Sequence, residues 1–389
     1  MTHEELTAAL STAGDLPEGW AATFAEVDRA WFIPVRIWFD DEHGRSQPLD
    51  RERAPDRWRG AVYSDEPIVT QLDDGATVWP ATSNAVTSSA SQPSMMLAML
   101  DALDVHKGQR VLEIGTGTGH HAALLAHRLG EHSVTSVEVD AVLAEQARLN
   151  LTAAGYNPTV VCADGAKGWA ATAPYDRLVA TAAVLAGQLP YTWVEQTRPG
   201  GLILTPWGTA YHNGALVRLT VHEDGTATGR VVGSAAFMRL RDQRTPFGHA
   251  TRLGDLVDAS ATESITSVEL SEVTTGEGAF SVGLQLPGVQ CGVYPEDDGG
   301  YEVLLYHVAS ESVASVPVTE HSVTGRHPVR QHGPRRLWDE AERAHRWWVG
   351  CGKPARTRYG LTITPTAQHL WLDEPARPIL THERRSRTS

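Results

Sequence analysis

The stretch VLEIGTGTGHHAALLA, residues 111–126, constrains this chain more than any other. RVLEI is an apolar run of strand length, TGHHAALLAHRL reads as a helix, and Gly115, Gly117 and Gly119 mark the turn between them. Glycine permits a tight turn there and lets a ligand approach the backbone. A strand, a glycine turn and a helix in succession begin a crossover between parallel strands. The pattern then repeats. VTSVEV (134–139) reads as a strand, AVLAEQARLNLTAAG as a helix stopped by Gly155, and TVVC, DRLVAT (176–181) and GLILTP (201–206) as further strands. The expectation is an α/β fold with a doubly wound, mainly parallel, Rossmann-like sheet. NGALVRLTVHEDGTATGRVVG reads as two strands around an Asp224-Gly225 turn, an antiparallel hairpin that closes the sheet.

The flanks have a different texture. Residues 1–30 read as helical, with Leu6, Leu10, Phe24 and Val27 as apolar positions. Residues 73–91 read as a loop leading into a helix over about 92–103, with Pro93 in its first turn and Met96, Met99, Leu100 and Leu103 as its buried stripe. Beyond residue 241, SITSVEL, FSVGLQL, YEVLLYHV, SVASVPV, RYGLTIT and AQHLWL read as strands. PRRLWDEAERAHRWWVG reads as one helix with Leu337, Ala341, Ala344 and Trp348 on one face. The expected units are a helical and loop-rich segment, 1–90, a ligand-binding core, 91–240, and a separate α+β domain, 241–389, whose tail THERRSRTS is frayed.

Composition excludes several classes. The 389 residues exceed one typical domain, and the formal charge of −14 argues against a general nucleic-acid binder. No apolar run approaches the roughly 20 residues of a membrane span, and MTHEELTAAL has no signal pattern, so a cytoplasmic protein is expected; the sequence leaves the oligomeric state open, with a monomer as the expectation. Three cysteines without a CxxC pair give no disulfide framework or cysteine zinc site. No metal is expected either: His120 and His121 diverge on a helix, and His321, His327 and His332 lie among arginines. Charge is uneven. Residues 255–302 hold ten acids and no Lys or Arg, whereas residues 321–360 hold nine basic residues and three acids. That basic stretch is either solvated surface or a face for an acidic partner.

The glycine loop carries the chemistry. Glu138 ends the next strand, 19 residues after Gly119, where an acid accepts ribose hydroxyls. An adenosine-containing ligand follows. The loop is not G-x-G-x-x-G, no G-x-x-x-x-G-K-[ST] occurs, and no Lys or Arg lies nearby in sequence to meet a pyrophosphate. Glu113, just before the glycines, repels phosphate and suits a cationic, amino-bearing ligand; S-adenosylmethionine has both features and no phosphate. The plainer alternative makes Glu113 a salt-bridged strand-end residue. Asp164-Gly165 either meets the adenine edge or makes a helix-start turn.

At this point a resemblance enters. FIP (32–34), YSDEP (63–67), SQP (91–93), VLEIGTGTG (111–119), VTSVEVD (134–140), ADG (163–165), PYDRLVATAAV (174–184) and RPGGLILTP (198–206) resemble, in order and spacing, the protein-L-isoaspartate (D-aspartate) O-methyltransferase family. The resemblance implies a class I methyltransferase that moves a methyl group from S-adenosylmethionine to a side-chain carboxylate of a peptide, leaving S-adenosylhomocysteine. It implies cofactor-binding roles for Glu113, Gly115, Thr116, Gly117, Gly119, Glu138, Val139, Asp164 and Gly165, with Thr181 beside the cofactor. Ser91 falls on the family's active-site serine. The chain also departs from the family's pattern. His120 and His121 follow the glycines, Ser94 replaces a usual histidine, residues 40–60 look inserted, and residues 241–389 are expected to have no counterpart in the repair enzymes. These features are similar to an actinobacterial subgroup encoded with lanthipeptides and ATP-grasp-ligated peptides (graspetides). In that subgroup an aspartate of a cyclised ribosomal peptide is methylated and its ester becomes an aspartimide or isoaspartate.

A carboxylate is already ionised at neutral pH, so the reaction needs no general base and no catalytic His or Asp pair is expected. Ser91 is expected to donate a hydrogen bond to one carboxylate oxygen at a helix N-terminus that favours an anion. The bland reading is that it caps the helix. Thr87, Ser88, Ser89 and Gln92 are candidate substrate contacts, and the basic Arg326–Arg358 region, Arg335 and Arg336 above all, is expected to help hold the peptide substrate. Two other functions remain: general isoaspartate repair, and a non-catalytic peptide-binding protein on a retained methyltransferase fold.

Overall fold

The computed structural model describes residues 1–40, 46–244, 257, 261–296, 299–319 and 325–384. His321 and residues 385–389 therefore lie outside the described residues; the first part of the tail expected to fray, Thr381–Glu383, instead ends the strand Pro378–Glu383. The centre is an eleven-stranded sheet. From one edge its order is Thr159–Cys162, Val134–Glu138, Val111–Ile114, Tyr175–Ala180 and Thr197–Gly208, all parallel. The hairpin Asn213–Val221 and Ala227–Gly233 follows antiparallel, as its turn chemistry requires. The short strand Val184–Leu185 pairs beside Thr197–Gly208.

Helices His3–Ala13, Glu18–Glu26, Pro93–Leu103 and His120–Leu129 cover one face. Leu6, Leu10, Phe24, Val27, Met96, Met99, Leu100 and Leu103 share one core there, all buried as the spacing predicts. Each large aliphatic removed from water this way contributes about 1.5–3 kcal/mol. Thr2 and Glu5 close the first helix with a reciprocal capping box.

Residues 1–90 differ from the helix-and-loop expectation. They hold a four-stranded antiparallel sheet in the order Ser46–Asp50, Arg36–Asp40, Ile68–Leu72, Val86–Ala90. Strand Val86–Ala90 lies inside the stretch read as a loop. VTSSA has too little apolar surface to announce a strand, and only pairing with Ile68–Leu72 makes it one.

The C-terminal region is not a separate domain. Strands Tyr359–Ile363, Ala367–Leu372 and Pro378–Glu383 continue the central sheet from Ala227–Gly233, whose backbone edge they cover. Only the part before them has its own five-stranded sheet, in the order Thr262–Thr266, His327–His332, Ser312–Val318, Tyr301–His307, Gln290–Pro295. Helix Leu337–Gly350 packs on it with Leu337, Ala341, Ala344 and Trp348 buried as expected. FSVGLQL is helical, within Gly276–Gln285, where a strand was expected. Residues 278–284 are all buried, so no amphipathic period marks the helix. A Cβ on Gly283 would lie 2.7 Å from Thr209 Oγ1, so glycine lets this helix press against the central unit. Phe280 meets Trp207 edge-on, with ring centroids 6.2 Å apart. Among the described residues no helix is long and apolar enough to cross a membrane.

Candidate active site

A cleft of about 900 Å³ opens at the C-terminal ends of the parallel strands. One wall is the glycine loop and the strand ends beside it. Gly115 has a φ of 99°, and a Cβ there would lie 2.6 Å from Thr181 Oγ1. That hydroxyl donates to the Gly115 carbonyl at 2.6 Å, tying the end of Tyr175–Ala180 to the loop. The Gly117 N–H donates to Glu138 Oε2 at 2.9 Å, and the Asp140 N–H to Oε1 at 3.1 Å. Burial pushes the Glu138 carboxyl up, and these backbone N–H bonds oppose it. A carboxylate has about four acceptor sites, so capacity is left for hydroxyl donors. Thr116, Val139 and Gly165 also line this wall, with Ile114 and Leu143 offering apolar surface for a flat ring.

The facing wall is strand Val86–Ala90, Ser91 and the segment 237–244. Thr87, Ser88, Ser89 and Ser91 all line the cleft. Ser88 accepts from Thr70 at 3.1 Å, and Thr87 donates to Gln71 at 2.9 Å. The Ser91 hydroxyl has no hydrogen-bond partner among the described residues. Its backbone is held by Arg29, which is fully buried and donates to the carbonyls of Ser91 (2.9 Å), Ala90 (3.3 Å), Glu66 (2.8 Å), Ser64 (3.1 Å) and Val62 (2.9 Å). Burial lowers the Arg29 pKa to about 10, still charged at neutral pH.

Several expectations change. Ser91 does not cap helix Pro93–Leu103; its N-cap is Gln92, without a side-chain cap bond. Nor is that N-terminus free for a substrate anion. Asp65 accepts from the Ser94 N–H at 2.8 Å and from Gln92 Nε2 at 3.1 Å, which also turns Gln92 away from the cleft lining. Glu113 does not line the cleft. It is fully buried beneath the loop, hydrogen-bonded to His121 Nδ1 at 2.6 Å and accepting from Ser136 Oγ, so the plainer reading of a strand-end residue held by its neighbours describes it. Asp164 makes the helix-start turn, accepting from the Ala166 N–H at 3.0 Å. Gly119 packs on a neighbouring helix, where a Cβ would lie 3.2 Å from Leu151. Arg335 and Arg336 also lie off the cleft lining. Arg335 is paired with Glu340 (Nε to Oε1, 3.1 Å), and Arg336 with Asp339 at 3.5 Å. Among the described residues no group of three His, Cys, Asp or Glu is placed to hold a metal ion.

Sequence reasoning missed the cations that do line the cleft: Arg239, Arg241 and Arg244. They stand more than a hundred residues from the glycine loop, so the local absence of Lys and Arg said nothing about them. Arg241 lies 2.9 Å from Asp74 and 3.1 Å from Asp140, and Arg244 lies 2.8 Å from Asp74. Burial works against the Arg241 charge, but Asp140 and Asp74 outweigh it and hold its pKa above the ordinary value. These pairs latch segment 237–244 to the N-terminal sheet and to the core. Arg29 left one signal, a lone cation in the otherwise apolar AWFIP region.

Five parallel strands closed by an antiparallel hairpin, with a glycine loop facing an acid on the next strand, define a class I methyltransferase fold. The family model described as Protein-L-isoaspartate(D-aspartate) O-methyltransferase (PCMT) matches residues 47–245, just over half of the chain. Protein-L-isoaspartate O-methyltransferase 2 of Archaeoglobus fulgidus is 35% identical over 191 residues, covering 49% of this chain and 79% of its own length. The Pyrococcus horikoshii enzyme is 34% identical, covering 48% and 77%. The chain belongs to the protein-L-isoaspartate (D-aspartate) O-methyltransferase family, protein carboxyl O-methyltransferases that use S-adenosylmethionine. A solved protein-L-isoaspartate O-methyltransferase shares the fold, with a TM-score of 0.53 at 23% identity, and covers 96% of this chain and all of its own. Coverage that wide passes residue 240, so the likeness extends into the region expected to have no counterpart.

The residues fit this cofactor. Glu138 keeps acceptor capacity for hydroxyls, the wall beside it is apolar, and the cleft side of Gly117 is open, a Cβ there meeting only the Ser89 carbonyl at 3.7 Å.

Proposed function

We propose that this chain methylates the side-chain carboxylate of an aspartate in a cyclised ribosomal peptide, whose ester then closes to an aspartimide that hydrolysis opens to isoaspartate. The observation that carries this reading is the C-terminal unit. It lies beyond the family-matched residues 47–245, and its residues Phe280, Leu284, Tyr359 and Leu361 share the core of the central sheet. The departures at His120, His121 and Ser94 point the same way. A second reading, repair of isoaspartyl residues in damaged proteins, has its own support. The relatives described above carry that name, and one solved enzyme of that name spans the C-terminal region.

S-adenosylmethionine, when bound, supplies a sulfonium-activated methyl group and keeps the electron pair of the broken S–C bond. The acceptor carboxylate is ionised at neutral pH and needs no base. The free Ser91 hydroxyl donates to one carboxylate oxygen and leaves the other as the nucleophile. Arg29 fixes the Ser91 backbone so that this donor is preorganised. Glu138 holds the donor's hydroxyls, and segment 237–244 closes the cleft and limits water. After transfer, the amide nitrogen of the next substrate residue attacks the ester carbonyl. Methoxide leaves with the amide proton as methanol, a step made fast by its intramolecular geometry.

The test is mass spectrometry of a precursor peptide, cyclised and linear, beside a generic isoaspartyl peptide, each with enzyme and S-adenosylmethionine. The proposal expects the cyclised peptide to gain one methyl group and then fall to a species lighter than the starting peptide by one water. Methylation of the isoaspartyl peptide alone establishes repair instead. Binding without transfer to any of them establishes the non-catalytic reading.

A further inference from the structure

The three arginines of the cleft are not equivalent. Arg241 and Arg244 are neutralised by Asp74 and Asp140. Arg239 faces no carboxylate among the described residues. Among the described residues its guanidinium donates one hydrogen bond, from Nη2 to the Thr209 carbonyl at 2.7 Å. It is half-buried in the cleft wall, and burial alone lowers its pKa. A cation removed from water without a counter-ion is unfavourable.

Its position is set by the backbone. The Ala183 N–H donates to the Met238 carbonyl at 2.7 Å, and the Leu240 N–H to the Ala183 carbonyl at 3.0 Å. Arg239 is thereby pinned just past Thr181, at the end of strand Tyr175–Ala180. Glu138 ends strand Val134–Glu138. Strand Val111–Ile114 lies between these two in the sheet, so they are separated by two strand spacings, roughly 10 Å. The carboxylate that suits ribose hydroxyls and the unpaired guanidinium thus sit at opposite ends of one cleft. The methyl donor is itself a cation at sulfur, so a second positive charge in the same cleft is unfavourable unless an anion joins it there.

We propose that Arg239 is a specificity-determining residue that receives the acceptor's carboxylate at the end of the cleft opposite Glu138. This rests on the carboxyl-methylating reading above. The guanidinium binds the carboxylate with charge-assisted hydrogen bonds, and Ser91 lines the same cleft. The methyl ester is neutral and loses this interaction, so the same residue that collects substrate releases product. Sequence reasoning assigned peptide binding to Arg335 and Arg336; the cleft assigns it to Arg239.

The experiment compares wild type with Arg239→Met and Arg239→Lys, using whichever of the cyclised aspartyl and isoaspartyl peptides wild type methylates. S-adenosylhomocysteine affinity is measured by calorimetry as a check on folding and on the donor site. The proposal expects KM for the peptide to rise about tenfold to a hundredfold in Arg239→Met, with kcat changed far less, partial rescue in Arg239→Lys, and S-adenosylhomocysteine affinity unchanged. It also expects the preference for the Asp peptide over its Asn counterpart, measured as binding to the S-adenosylhomocysteine-loaded protein, to shrink by the same factor in Arg239→Met. An unchanged KM overturns it. Equal loss of S-adenosylhomocysteine affinity with KM unchanged also overturns it, because Arg239 then serves the donor's own amino-acid carboxylate. If wild type methylates neither peptide, the functional reading fails together with this one; a working wild type with an indifferent Arg239 defeats this one alone.

Discussion

The two walls of the cleft are built on different principles. The wall formed by Gly115, Thr116, Gly117, Glu138 and Val139 comes from one strand–turn–helix–strand unit of under thirty residues. The wall formed by Thr87, Ser89, Ser91 and residues 237–244 is gathered from segments about 150 residues apart and held by Arg29, Asp74 and Asp140. A wall made of local backbone geometry holds the part of the reaction common to the family. A wall assembled from distant side chains can be exchanged without disturbing the first.

The sharpest way to break the local wall is Gly115→Val. A side chain at φ 99°, 2.6 Å from Thr181 Oγ1, displaces the loop. Calorimetry is expected to detect no S-adenosylhomocysteine binding. The assembled wall breaks at Arg29→Met, which strands five carbonyls that now share one guanidinium. A loss of about 3–5 kcal/mol in urea unfolding is expected. If the walls are independent at the donor site, S-adenosylhomocysteine affinity at low temperature stays within about twofold in the folded fraction. Ser91→Ala is milder. A loss of about tenfold in kcat/KM with donor affinity kept is expected, as for one hydrogen bond to a charged group. Full activity in that variant removes Ser91 from the mechanism.

The smallest effect concerns His120, buried between the walls against Phe32 and 3.4 Å from the Val27 carbonyl. Burial, with Arg29 nearby, lowers its pKa from 6.5 to about 3. Between those values the unfolded chain binds a proton that the folded chain does not. Stability contributed by the neutral imidazole is therefore present above pH 6.5 and lost as pH falls toward 3. About 1 kcal/mol is expected to go in the first unit below 6.5. His120→Gln is expected to remove this component, read as a shallower dependence of the urea midpoint on pH. An unchanged slope assigns the acid sensitivity to other groups.

Much of the parallel core was legible. Strand Val111–Ile114, its glycines, Glu138 and the Asp224-Gly225 hairpin follow from apolar periodicity and turn chemistry, which are local. The buried stripes of Pro93–Leu103 and Leu337–Gly350 were legible for the same reason. Helix Gly276–Gln285 was not, because a segment buried on every side has no period to read. Strand Val86–Ala90 was not, because its serines become a strand only through pairing with Ile68–Leu72.

The site divides in the same way. Gly115, Gly117 and Glu138 could be named from the chain alone, since each stands in a motif whose neighbours define its role, whereas Ser91 was named only through the family resemblance. Glu113 could not be placed. Whether a strand-end acid meets a ligand or a histidine depends on which way the next helix turns, and here His121 took it. Arg239 could not be found at all. A cation's meaning depends on what neutralises it, and that is a property of distances between segments remote in sequence. The sequence by itself determined the parallel half of the sheet, the loop and the methyl-donor end of the cleft, because these rest on neighbours along the chain. Only the tertiary structure decided which charges meet across the cleft, because Coulomb and hydrogen-bond partners are chosen in space.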